Sequence, residues 1–312
     1  MAQPITSSVH IDAALSKIAI GYSNEAYIAD KIFPLVQVEK LTDYYYTWTK
    51  GDWFRNVVQR REPGGVYQEG GLTVSPSQYS CVQYALAFPI ADETITNADA
   101  AIDLEKAAAD WLADQFMLNR EIILASKIFD ATAWANSTTL TGTNQWSDYE
   151  NSDPVSDIKT AKQTVQQSIG RLPNTLIMGV EVWDTLIQHP SLLERFKYTQ
   201  KAILNKGEIS TLFDIPNILV GAAVKNTADE GQDMSGSYVW PKNALLAYIT
   251  PRPGLRVPSA GYTFIWDQNG FTIPIKRVRD DQRDRDVLQG KCAFDQRVTA
   301  TDCAYEIIDA VA

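Results

Sequence analysis

Histidine is almost missing from this sequence: His10 and His189 are the only two. Neither sits beside a Ser or Cys in the setting of an activated nucleophile, so acyl-transfer chemistry finds no starting point. Cysteine is nearly as scarce. Cys81, Cys292 and Cys303 form an odd set without a CxxC pair, and such residues read as small buried hydrophobes in a reducing compartment. A zinc site asks for about four His or Cys ligands, or three and a water; the five present are scattered, with no HExxH. No phosphate-cradling glycine loop and no GxGxxG opens a helix. Any two acids can meet in a fold, but nothing here singles out a pair for hydrolysis.

Bases are also in short supply. Lys and Arg number 28 against 38 Asp and Glu, a net charge of −10. A duplex reader needs cations to displace counterions, so sequence-specific nucleic-acid binding is not expected. An acidic surface still suits a protein that encloses DNA without adhering to it. No apolar run reaches the roughly 18 residues of a membrane helix. The start, Met-Ala-Gln-Pro-Ile-Thr-Ser-Ser, lacks a basic and apolar leader, so folding in a cytoplasm is expected.

What is present is an unusual order of elements. Residues 1–40 read as an extended arm with short helices near 11–20 and 26–33, broken at Pro34. Residues 41–90 carry the strand formers Tyr44-Tyr45-Tyr46-Thr47-Trp48, two glycine turns (Pro63-Gly64-Gly65 and Glu69-Gly70-Gly71), and Val82, Tyr84, Leu86 and Phe88 on one alternating face. This predicts a long two-stranded excursion with a glycine-rich tip. An isolated hairpin is marginal in water, so either it folds back onto its own core or a neighbouring molecule covers it.

Leu104, Ala108, Trp111, Gln115, Leu118, Ile122, Ala125 and Phe129 recur at helical spacing. With Thr96 and Asp99 as a capping box, the helix would run over 97–130, about 50 Å of strut. Asp153, Pro154 and Gly170 mark the start and stop of a second helix. An α/β lobe follows over 172–275, with strands at 175–179, 218–224 and 244–249 and helices at 180–188, 191–198 and 209–214. Residues 273–308 alternate like strands. In their middle, Arg279, Asp280, Asp281, Arg283, Asp284, Arg285 and Asp286 interleave opposite charges. The acids could hold a divalent cation, but the calcium-loop glycine is missing, and the alternation favours salt-bridge networks within or between molecules.

This order resembles the Hong Kong 97-type fold of tailed-bacteriophage major capsid proteins. Leu172-Pro173-Asn174-Thr175-Leu176-Ile177-Met178-Gly179-Val180-Glu181-Val182-Trp183 looks like the family's strand entering its first axial-domain helix. His189-Pro190-Ser191-Leu192-Leu193-Glu194-Arg195-Phe196-Lys197-Tyr198 looks like its continuation, and Ala304-Tyr305-Glu306-Ile307 like its closing strands. The resemblance implies an α+β fold with residues 1–50 as N-terminal arm, 51–90 as extended loop, 91–171 as peripheral domain with a spine helix, 172–275 as axial domain and 276–312 as return strands of the peripheral domain. It implies a non-catalytic shell subunit without cofactor or metal, forming pentamers and hexamers around double-stranded DNA. Subunit contacts would fall on Trp53, Phe54, Arg55, Arg60, Arg61, Glu62, Tyr67 and Glu69 of the loop and on the charged run 279–286. An axial tip would carry Lys201, Asn205, Lys206 and Glu208. Partners would be the chain itself, a portal, a separate scaffolding protein and a cement protein. Some family members weld neighbours through a loop lysine; residues 51–90 contain none, so non-covalent contacts are expected. The competing readings are an encapsulin-type compartment and a soluble α/β hydrolase or transferase, which would need a pocket with convergent polar groups.

Overall fold

The computed structural model describes residues 24, 27–97, 104–196, 205–252, 257–266 and 275–312. A one-turn helix α1 (Ala29–Ile32) leads through Pro34 into strand β1 (Leu35–Gln37). Next come β2 (Thr42–Trp48), the short helix α2 (Lys50–Phe54), β3 (Val74–Ser80) and β4 (Val82–Ala91). Helices α3 (Asp92–Asn97) and α4 (Leu104–Ile128), strand β5 (Asn136–Thr139) and helix α5 (Pro154–Ile169) follow. Then come β6 (Thr175–Gly179), α6 (Val180–Gln188), α7 (Pro190–Phe196), α8 (Lys206–Phe213), β7 (Asn217–Gly221), β8 (Val224–Asn226), β9 (Gly236–Tyr238) and β10 (Ala244–Ala247). The chain closes with β11 (Gly261–Ile265), β12 (Ile275–Asp280), β13 (Arg285–Val298) and β14 (Ala304–Ile308).

Two sheets organise these elements. The first is built on the long strand β13, which pairs antiparallel with β4, β11 and β12, while β1 adds parallel to β11. The second runs β5-β14-β10-β6-β7. Its strands β6 and β10 are buried at every residue, as central strands covered on both faces should be. Alternation sorts their side chains. Leu176, Met178, Ala244 and Leu246 face α5, α6, α7 and α8; Ile177, Leu245 and Ala247 face α1 and the C-terminal half of α4.

Helix α4 joins the sheets. Ala108 and Leu112 pack with Ile90 and Leu288 of the first sheet, and Leu124, Ala125 and Ile128 pack against the second. Its described 25 residues span about 38 Å. The Thr96 hydroxyl donates to the Asp92 carbonyl inside α3; Asp99, its expected partner in a capping box, lies outside the described residues, as does the expected helix at 11–20. Helix α5 follows its signals closely. Asp153 accepts from the amides of Val155 and Ser156, and Gly170 closes the helix in the left-handed region.

Several expectations change. The excursion is two-stranded only over β2 and β3. At Cys81 the strand changes partner, and β4 pairs with β13 instead. Asp295 fixes that switch, accepting from the Ser80 amide at 3.0 Å and from Lys127 Nζ at 3.0 Å. The closing strand β14 was expected with the first sheet but lies between β5 and β10 in the second, and β11 makes the reverse exchange. Local alternation cannot choose between two sheets that both need apolar strands. The strand expected over 218–224 breaks after Gly221, where a Cβ would stand 2.3 Å from the Trp240 ring. Helix α8 starts at Lys206, earlier than 209, because Asn205 and Glu208 form a capping box.

Charged residues sit at the centre of this packing. Glu121 is wholly buried on α4. Its carboxylate accepts from the amides of Ile28 and Ala29, both at 2.9 Å, and from the Trp240 indole at 2.9 Å. Adjacent Arg120, also buried, pairs with Asp30. Burial pushes the Glu121 carboxyl pKa up and the Arg120 guanidinium down to about 10. Glu121→Ala would strand three buried donors, and urea unfolding of the unassembled subunit should show a loss of about 3–5 kcal/mol. Asp114→Asn, which leaves Tyr27 an acceptor, should cost less than about 1.5 kcal/mol. Equal stability of the Glu121→Ala and native chains would contradict this account.

Candidate assembly surfaces

The β2–β3 ribbon has two unlike faces. Tyr45 and Tyr79 stack on Phe264 with ring centroids 5.6 and 4.6 Å apart, anchoring the stem to the first sheet. On the other face Tyr44 and Tyr46 stand open. Beyond the stem every residue from Trp53 to Thr73 is exposed. The apolar ones are conspicuous: Phe54 is 62% exposed, Val58 84%, Val66 94% and Tyr67 75%. The stem therefore folds onto its own core, while the loop beyond it stays exposed.

The loop is nevertheless shaped. Arg61 donates to the Gly65 carbonyl at 2.6 Å and lies 4.3 Å over the Tyr67 ring, a cation–π contact. Arg60 approaches Glu62 at 3.8 Å. Trp53 meets Trp48 edge-on at 6.4 Å. Arg55 and Glu69 are exposed. All eight loop residues singled out in the sequence thus lie on one uncovered excursion.

The charged run forms the β12–β13 turn and pairs within the chain. Arg279 donates to both oxygens of Asp92 at 2.6 and 2.7 Å and reaches Asp281, Asp284 and Asp286 at 3.2, 3.7 and 3.7 Å. Those bonds hold the Asp92 carboxyl below its ordinary pKa and raise that of Arg279. Arg285 bonds Asp280 at 2.9 Å, and Arg283 stands 4.0 Å from it. Arg277 joins Asp286 to Glu105 at the start of α4. The turn is thereby tied to α3 and α4. Each exposed pair contributes little alone; the network fixes one geometry.

The four expected tip residues divide. Lys201 lies outside the described residues, and Lys206 is exposed. Asn205 and Glu208 are engaged in the α8 cap, and Glu208 is buried. The backbone of a helix end needs these two, so their side chains are not free for a neighbour.

Catalytic geometry is not assembled around His189. Ser152 Oγ donates to the Asp148 carbonyl at 2.7 Å and so receives a proton from His189 Nε2 at 3.0 Å. Nδ1 accepts from Ser191 Oγ at 2.7 Å. This network assigns the neutral tautomer with its proton on Nε2, and burial lowers the imidazole pKa. An imidazole that donates to a serine cannot deprotonate it. Among the described residues no three His, Cys, Asp or Glu gather as a metal site, and no helix is long and apolar enough to cross a membrane.

The family profile described as phage major capsid protein E matches residues 97–257. The chain belongs to that family. It is a major capsid protein, structural and not catalytic. It is 26% identical over 304 residues to the major capsid protein of Burkholderia phage BcepMu, covering 95% of each chain. A solved phage-related protein from Bordetella bronchiseptica RB50 is 25% identical with a TM-score of 0.72, covering 96% of this chain and 97% of that one. The capsid of cyanophage P-SCSP1u, at 10% identity, shares the fold with a TM-score of 0.64 over 93% of this chain and 90% of that one. The expected α+β capsid fold of Hong Kong 97 type is thus the observed one, and neither the compartment nor the hydrolase reading is favoured. The capsid protein acts as a component of a phage virion and assembles with copies of itself.

Sequence reasoning passed over Glu121, Asp295 and Glu306. The only local sign was an acid within an apolar stretch, as in Tyr305-Glu306-Ile307-Ile308. Glu306 is buried on β14 and accepts from Asn243 Nδ2 at 3.0 Å. Burial drives its carboxyl pKa up to about 7, against the smaller opposing effect of Asn243. The folded chain therefore holds a proton that the unfolded chain releases near 4.5. Its stabilising contribution is complete below that value and is lost as pH rises through about 7. Glu306→Gln should gain stability relative to the native chain at pH 8 and lose that gain near pH 4. Parallel thermal-melt profiles for the two chains would refute the assignment.

Proposed function

We propose that the chain forms pentamers and hexamers that close an icosahedral shell around double-stranded DNA, with residues 51–73 of each copy lying across an adjacent subunit. The observation that carries this is the exposed run from Trp53 to Thr73, with Phe54, Val58, Val66 and Tyr67 open to solvent. Apolar side chains held in water on an extended excursion stabilise nothing in a lone subunit and gain by being covered. Closed point-group symmetry repeats that contact in every copy.

Other features suit the same reading. The net charge of −10 favours enclosing DNA over binding it. Residues 51–90 lack lysine, so neighbours are held without covalent links. The second sheet with α5 to α8 corresponds to the axial domain, now including β14. The first sheet with α3 and the start of α4 corresponds to the peripheral domain, and its charged β12–β13 turn offers Asp281 and Asp284 to adjoining capsomers. A portal, a separate scaffolding protein and a cement protein complete the partner set, and assembly takes place in the host bacterial cytoplasm.

Replacing residues 56–72 by a short Gly-Ser turn tests the central claim. The shortened chain should keep its circular-dichroism spectrum and cooperative melt yet form no closed particles by electron microscopy. Particles of native size from it would overturn the loop's role.

A further inference from the structure

The extended loop leaves its stem through α2, and α2 touches the chain's own second lobe. Lys50 Nζ bonds Asp302 Oδ1 at 2.8 Å. Asp302 belongs to the one-turn helix Thr301–Cys303 that introduces β14. The Phe54 ring lies over Gly170, where a Cβ would come within 3.1 Å of it. Gly170 also has φ of 68° as the C-cap of α5, so glycine is demanded there both by the backbone and by the ring above it. Inside the loop neck, Asp52 accepts from the Thr73 amide at 2.9 Å, and the Thr49 amide donates to the Thr73 carbonyl at 3.0 Å. These bonds tie the loop neck to α2.

These contacts are unequal in kind. The stem is fastened by buried groups: Tyr79 stacked on Phe264, and Asp295 gripping the Ser80 amide. The α2 contact is open. Lys50 and Asp302 side chains remain 53% and 31% exposed, and Phe54 is more than half exposed on its glycine. An exposed ion pair biases a two-position equilibrium by at most about fivefold and is screened beyond about 8 Å at physiological salt. We propose that α2 is a releasable latch that holds the extended loop against the chain's own α5–β14 corner and sets its angle in the free subunit. The stem, held by Tyr45 and Tyr79 on Phe264, is the fixed end about which the loop turns. The device rests on the reading of the loop as an inter-subunit element, since a loop that swings onto a neighbour must first leave its own lobe.

Spin labels at Val66→Cys on the loop and Lys159→Cys on the exposed face of α5 report the angle in the unassembled subunit. The parent chain, with its three native cysteines, serves as the labelling blank. At low salt a single narrow distance distribution is expected. Lys50→Asp and Asp302→Lys should each broaden it, the two together should restore it, and 1 M salt (about 3 Å screening length) should broaden the native distribution alone. Phe54→Ser should broaden it with the ion pair intact. An unchanged distribution in all three single variants, or no recovery in the charge-swapped chain, would overturn the latch. The measurement needs no particles, so it stays separate from the assembly test: loss of the inter-subunit role would leave these distances as they are.

Discussion

Everything described here hangs on the buried charge pair at the middle of α4. Arg120 and Glu121 are adjacent, yet they face the incoming arm from one turn of helix and hold it by different means. Arg120 takes the Asp30 carboxylate, and Glu121 takes two backbone amides and the Trp240 indole. Burying a carboxylate costs several kcal/mol unless its lone pairs are filled; here three donors offset that cost. One residue thereby ties the Ile28–Ala29 backbone and Trp240, just ahead of β10, to the helix. Because α4 also packs on both sheets, fixing its middle fixes the angle between them.

The chain uses charge in two contrasting ways. Inside, at Glu121, Asp295 and Glu306, single acids sit in nearly dry surroundings and each is satisfied by specific donors or kept protonated. Outside, at the β12–β13 turn, many charges share partners around Arg279. The interior acids are strong determinants of where a segment lies, because a misplaced segment would leave an unpaired charge. The exterior network is individually weak and screened by salt, and suits a surface that other molecules approach. A shell protein needs both: a subunit that keeps one shape, and edges whose contacts form and reform.

The extended loop illustrates the limit of self-sufficiency. Its stem obeys the ordinary rule, with aromatic rings stacked on Phe264, and its outer part breaks it, with Val66 almost fully in water. Apolar residues on a segment too thin to cover them gain by being covered from outside, as the proposed contact with an adjacent subunit would do. That is a physical definition of an assembly subunit, and it agrees with the absence of any organised catalytic geometry around His189.

The order of elements, the helix α5 with its caps, the alternation of β4 and the buried runs of β6 and β10 were all legible in the sequence. Each depends on interactions within a few residues, where spacing, capping side chains and backbone preference act directly. The exposure of the loop residues was legible too, from glycine turns and from strands too few to bury themselves. What only the tertiary structure decided was partnership: that β14 joins the second sheet and β11 the first, that β3 and β4 divide at Cys81 between two partners, that Asn205 and Glu208 cap a helix, and that Glu121 receives the arm. These are choices among chemically equivalent neighbours. Local sequence says that a strand or a carboxylate must be satisfied, and only the closed fold says by which residue.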